Sequence, residues 1–280
     1  MADSRSSTTG HGRPFARHGT GRRPAGALAA GVLALFLSAC SSSMPLSTES
    51  LGLGYPGIAL SEFKGQKPSD YPVHGIDVSK YQGTIDWNAV RAGGIEFAYL
   101  KSTEGGDMLD SRFMDNWNGA ARAGVPRGAY HFWYHCRSGV EQADWFIRNV
   151  PKDPRALPPV IDVEWTPFSP TCTARPAREN LIREVMAMAD KLERHYGQRP
   201  VLYIPIDVHR ERWVDATNTH EIWARAVADH PDNVYERRKF RFWQYTESGT
   251  VPGIRGGVDK NVFAGTRDDW QKWLRHHTRG

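Results

Sequence analysis

The chain of 280 residues is 40% hydrophobic and 24% charged, ordinary globular usage that excludes a disordered chain, a collagen and a multi-span membrane protein. Its formal charge of +5 would suit nucleic acid or a membrane surface. Residues 1–39, however, hold Arg5, Arg13, Arg17, Arg22 and Arg23 against a single acid, Asp3, which leaves a net charge of only +1 for the rest. A nucleic-acid partner is therefore not expected.

In chain order, a basic stretch ends at Pro24 and an apolar run, Ala25–Ala39, leads to Cys40. The run is short for a bilayer span and fits the core of a secretory signal. Leu37-Ser38-Ala39-Cys40 resembles a bacterial lipobox. That resemblance implies a signal peptide over 1–39 and lipidation of Cys40. The expected location is extracytoplasmic, as a membrane-anchored lipoprotein, at the outer membrane facing the periplasm if the organism is diderm, because Ser41 and not Asp follows the Cys. An ordinary secretory signal is the alternative. Residues 40–71, rich in Ser, Gly and Pro, read as the lipidated Cys and a flexible tether. The folded domain is expected over 72–280.

Strands are predicted at Val73–Ser79, Ile95–Lys101, Arg127–Tyr134, Leu157–Glu164, Val201–Ile204, Glu221–Ala226, Phe240–Tyr245 and Val258–Phe263. Helices are predicted from Asp86, from a Ser111 cap to Gly124, over Ser138–Val150, and over Pro176–Tyr196 with Gly197 as its stop. Alternating strands and helices predict an α/β fold with a parallel sheet. About eight strands, with helices sparser late in the chain, point to a single irregular β/α barrel of the TIM-barrel-like type. An open doubly wound sheet is the alternative, although no glycine fingerprint for nucleotides accompanies any strand–helix turn.

The fourth predicted strand ends Val160-Ile161-Asp162-Val163-Glu164. Alternation places Asp162 and Glu164 on one face, with Cα atoms about 6–7 Å apart. In a barrel they would point inward at the C-terminal strand end, where such folds carry their chemistry. Two close carboxyls push one pKa upward, so one can stay protonated while the other stays ionised. That division suits cleavage of a glycosidic bond. Asp77 shares a face with Gly75 and Ser79, and Asp259 sits in a similar setting near the chain's end. A barrel that joins first and last strands would bring both towards the pair. Helix capping or pairing with Lys and Arg is the competing reading for each acid taken alone.

Six ordered blocks carry a family resemblance. They are His74–Gly83, Phe97–Gly105, Gly128–Phe132, Asp162-Val163-Glu164, Trp243-Gln244-Tyr245 and Val258–Phe263. Together they resemble glycoside hydrolase family 25, the Chalaropsis-type N-acetylmuramidases, over about residues 72–275. The resemblance implies a flattened β/α barrel and hydrolysis of the β-1,4 bond from N-acetylmuramic acid to N-acetylglucosamine. It makes Glu164 the general acid. Asp162 would stabilise the reacting centre or orient the substrate's acetamido group, with Asp77 and Asp259 completing an acidic floor. The expected partner is the peptidoglycan glycan strand, with no cofactor and no metal. The sequence Trp223-Ala224-Arg225-Ala226 departs from the family's usual Trp-x-Ala-Tyr, and residues 166–175 are expected to reshape the cleft rim.

Tyr130, Tyr203 and Trp243 are expected to contact sugar, with core packing as the competing role. His131 reads either as a proton carrier or as a packed, hydrogen-bonded residue. Cys136 and Cys172 follow adjacent strands and are expected to pair, which would contribute about 3–4 kcal/mol by loop closure. Two buried thiols are the alternative. Two other functions stay open from sequence: a catalytically inactive peptidoglycan-binding barrel, and a hydrolase of another amino-sugar polymer.

Overall fold

In the computed structural model the described residues are 65–216, 218–236 and 238–278, so the expected signal segment, Cys40 and most of the tether lie outside them. The elements in chain order are β1 (His74–Val78), α1 (Trp87–Ala92), β2 (Phe97–Glu104), β3 (Met108–Leu109), α2 (Phe113–Arg122), β4 (Arg127–Phe132) and α3 (Gly139–Asn149). There follow β5 (Val160–Asp162), α4 (Arg178–Tyr196), β6 (Val201–Pro205), α5 (Ile206–Val208), β7 (Ile222–Arg225), α6 (Pro231–Val234), β8 (Phe242–Gly249), β9 (Val258–Phe263) and α7 (Arg267–His277). A π-helical turn, His209–Trp213, continues α5.

Eight strands close into a barrel in the order β1-β2-β4-β5-β6-β7-β8-β9, and β9 returns to β1. The run from β1 to β8 is parallel, as the strand–helix alternation predicts. The last strand is not: β9 is antiparallel to both β8 and β1. Only residues 250–257 separate β8 from β9, too few for the crossover that a parallel pair requires. The short β3 adds an antiparallel edge to the end of β2.

Local chemistry sets most helix starts. The Asp86 carboxylate accepts the backbone N–H groups of Asn88 and Ala89 at the start of α1. Ser138 caps α3, and Gly197 ends α4 at φ 72°, a left-handed conformation that glycine adopts without strain. The expected Ser111 cap is not formed; the Asp110 carboxylate takes the Arg112 N–H instead, and also binds the Lys80 N–H across the rim. Helix α7 carries a Thr266/Asp269 capping box but buries only Trp270 and Trp273, a stripe too thin to read from periodicity.

The core has two layers. Outward-facing Ile76, Leu100, Ile161 and Leu202 pack against Leu181, Val185 and Met188 of α4 and the other helices. Inward-facing Phe97, Tyr99, Trp223, Phe242 and Phe263 fill the lower barrel. These rings leave no room for facing side chains. A Cβ on Gly75 would stand 2.3 Å from the Phe97 ring, and one on Gly128 would stand 2.3 Å from Tyr99. The aromatic plug closes the barrel floor and leaves the C-terminal strand ends open. Pro68 and Tyr71, expected in the tether, are buried; the Tyr71 hydroxyl pairs with His230 Nε2 at 2.9 Å. Cys136 and Cys172 are joined in a disulfide, with Cα atoms 5.6 Å apart.

Candidate active site

Alternation along the strands sends Asp77, Tyr130, Asp162, Tyr203, Gln244 and Asp259 to the barrel interior above the aromatic plug. They line a cleft of about 290 Å³ together with Glu164, the next inward position beyond β5. Asp77 and Asp259 are direct cross-strand partners, as the joining of first and last strands requires. All four acids therefore meet in one cleft. A larger hollow of about 1320 Å³ opens at the opposite barrel end, against α7, and contains none of them. Its charged walls include the closed pairs Arg199–Glu193 and Arg241–Glu221.

Behind the cleft, a hydrogen-bond relay fixes Asp77. The Trp223 indole N–H donates to Asn261 Oδ1 at 2.8 Å, which turns the Asn261 amide N–H towards Asp77 Oδ2, also at 2.8 Å. The Tyr203 hydroxyl donates to Gln244 Oε1 at 2.8 Å, and the Gln244 amide N–H donates to the same Asp77 oxygen at 3.0 Å. An indole N–H can only donate, so the orientation of the Asn261 amide follows from its partner. Burial raises the Asp77 pKa, while the bonds from Asn261, Gln244 and Asp259 oppose the rise. The Asp259 carboxyl is pushed up to about 9, chiefly by burial and then by the Asp77 charge and hydrogen bond.

Asp259 is thus the protonated partner of that pair. A carboxyl raised on folding adds stability below its ordinary pKa, and that stability is lost as the pH climbs towards about 9. Asp259→Asn keeps a donor but removes the charge. Its Tm at about pH 8 is expected to exceed that of the parent by about 2–4 °C, the shift produced by about 1 kcal/mol in a domain of this size. Little change is expected at about pH 4, where the native carboxyl is protonated. Thermal melts at both pH values check this, and an equal loss at both would contradict a protonated Asp259.

Asp162 and Glu164 form the second pair. Asp162 is 7% exposed, and its Oδ1 is buried without a hydrogen-bond partner. Burial and then the Glu164 charge hold the Asp162 carboxyl well above the usual carboxylate range. Burial also raises Glu164, opposed by the Arg225 guanidinium and by a hydrogen bond with Asp162 that favours the proton on Asp162 in the free protein. The pair thus retains a proton where exposed carboxyls have lost theirs. Two cations temper the cleft. Lys101 pairs with Glu104 at 2.7 Å and lies 4.3 Å from the Phe132 ring centre. Arg225 pairs with Glu247 at the cleft mouth.

Tyr130 and Tyr203 line the cleft as expected, but Trp243 does not. Gln244 faces inward, so Trp243 faces outward, fully buried; its indole N–H donates to the Ala226 carbonyl and it packs against Tyr71 and His230. His131 also faces outward, in the packed role. Its Nε2–H donates to Gln142 Oε1 and its Nδ1 accepts from Thr103, while burial pushes its pKa down to about 4. Arg225, Gln244, Asn261 and Lys101 were not singled out as site residues from sequence. Each is a polar side chain on the inward face of its strand, and that parity is the signal that could have found them. Among the described residues, no group of three or more His, Cys, Asp or Glu side chains is arranged to hold a metal ion.

A closed α/β barrel with paired carboxyls at its C-terminal strand ends has the parts that glycoside hydrolysis requires. The model of glycosyl hydrolases family 25 matches residues 76–254, and the chain belongs to that family. Lysozyme M1 of Streptomyces globisporus is 32% identical over 280 aligned residues, covering 88% of this chain and 92% of that one. The N,O-diacetylmuramidase of Chalaropsis sp is 30% identical over 138 residues, 47% of this chain and 65% of that one. The structure of a family 25 glycosyl hydrolase from Bacillus anthracis superposes with a TM-score of 0.68 at 36% identity, covering 74% of this chain and 95% of that one.

Proposed function

We propose that this glycoside hydrolase cleaves peptidoglycan at the β-1,4 bond from N-acetylmuramic acid to N-acetylglucosamine, with Glu164 as general acid. The carrying observation is the buried Asp162–Glu164 pair at the C-terminal end of β5, in one cleft with Asp77 and Asp259. The family membership and the likeness to a lysozyme and an N,O-diacetylmuramidase support the choice of polymer.

In this reading the glycan lies across the cleft. Glu164 gives its proton to the glycosidic oxygen as that bond breaks; a water oxygen finally bonds to the anomeric carbon, and the proton it releases restores the acid. Asp162, beside Glu164 in the cleft lining, stabilises positive charge at the anomeric carbon or orients the acetamido group beside it. The relay through Asn261 and Gln244 holds Asp77 rigid behind them. The aromatic faces of Tyr130 and Tyr203 present C–H-binding surface to the sugar.

Digesting peptidoglycan, reducing the new ends with borohydride and identifying them by mass spectrometry tests the bond. Muramitol ends are expected. Glucosaminitol ends would move cleavage to the other linkage, and binding without new ends would make the barrel a wall-binding module. The same reading has the protein exported and anchored through Cys40, its tether letting the barrel reach the wall. Cys40→Ser should shift the protein out of the membrane fraction; unchanged membrane retention would remove the anchor.

A further inference from the structure

The pairing between β4 and β5 stops one step short of the proposed acid. The last ladder bond runs from the Trp133 N–H to the Asp162 carbonyl at 2.9 Å. A continued parallel ladder would next bring the residue 135 N–H to the Glu164 carbonyl. The chain instead turns at Tyr134, whose N–H bonds Gln142 Oε1 and whose carbonyl accepts the Arg137 N–H. The Glu164 carbonyl is met by a side chain: His135 Nε2 lies 2.7 Å from it.

The imidazole and the segments on either side of it are held in place. Its ring packs on Trp165, with centroids 4.8 Å apart, and the Arg175 guanidinium lies over the Trp165 ring at 4.8 Å. The next residue, Cys136, is tied to Cys172 by the disulfide, and its N–H also donates to Cys172 Sγ. Thr166, two residues past Glu164, donates its hydroxyl to the Cys172 carbonyl at 2.6 Å. A carbonyl only accepts, so Nε2 must carry the hydrogen. The bare Nδ1 is buried with no partner, which leaves no favourable place for a second proton.

We propose that His135 is a positioning residue for Glu164: its Nε2–H replaces the missing ladder bond and fixes the backbone from which the Glu164 carboxyl enters the cleft. Disulfide, ring contact and imidazole form one staple across the two strand ends. A small displacement of a proton donor costs much in rate and little in binding, since affinity is spread over the cleft while proton transfer depends on one distance. The inference rests on Glu164 being the acid, so Glu164→Gln is assayed beside it.

The test measures kcat and KM on peptidoglycan for the full protein and for His135→Phe and His135→Gln. The Gln amide N–H can reach where Nε2 stood; Phe offers no donor. His135→Phe is expected to lose about 10–100-fold in kcat at nearly unchanged KM, and His135→Gln to recover most of it. Parental kcat in His135→Phe, with Glu164→Gln inactive, would overturn the positioning role and leave the acid assignment standing. Equal losses in both His135 variants would assign the effect to packing and overturn the proposal. An active Glu164→Gln would overturn the acid assignment itself. A readout on the unaltered protein covers the case in which His135→Phe does not fold. Nitrogen-15 NMR should show His135 as the Nε2–H tautomer, and an Nδ1–H tautomer would rule out the bond.

Discussion

Replacing Glu164 with Gln is expected to lower kcat on peptidoglycan by about 10²–10⁴-fold, the usual worth of a positioned proton donor. The amide keeps the size and polarity of the side chain but has no proton to give. KM and wall binding should hold, because the rest of the cleft is untouched. Steady-state kinetics together with pelleting on insoluble wall separate the two effects. Near-parental turnover would take Glu164 out of the mechanism.

Asp162→Asn is the second large effect. Asp162 lines the cleft beside Glu164, where its carboxyl faces the proposed reacting centre. Removing an electrostatic partner that acts mainly in the transition state costs about 10²–10³ in kcat. KM should again change little, since such a partner contributes little to the ground state. A loss confined to KM would make Asp162 a binding residue only. The substitution also removes a buried ionisable group, so a destabilised fold is not expected.

Much of this site was legible because strand alternation is a strict rule. Asp77 with Gly75 and Ser79, and Asp162 with Glu164, carry opposite-face apolar neighbours that state which way the acids point. Asp259 was placed by the topological point that a barrel joins its ends, and the register Asp77↔Asp259 follows it. The same rule, applied to β8, would have turned Trp243 outward once Gln244 was taken as inward. Aromatic chemistry alone points Trp243 at sugar, whereas its parity points it outward.

Other features depend on contacts between distant segments. The Trp223–Asn261–Asp77 relay spans three strands and becomes visible only when they are assembled. The Arg225–Glu247 pair joins neighbouring strand ends. His135 supports Glu164 through a backbone carbonyl, so no residue pattern announces it. The antiparallel β9 was hidden for another reason: its hydrophobic pattern is that of any half-buried strand, and only the shortness of residues 250–257 shows its direction. Helix α7 shows how a helix that packs with two tryptophans escapes a search for an apolar stripe.

Central to this mechanism, the Asp162–Glu164 pair holds a proton at pH values where exposed carboxyls have lost theirs. Carbon-13 NMR of the side-chain carboxyls, followed from about pH 3 to about pH 9 and assigned through Glu164→Gln and Asp162→Asn, measures this directly. One carboxyl of the pair should keep its proton well above the ordinary carboxylate range near pH 4. Both carboxyls ionised by about pH 5 would contradict it.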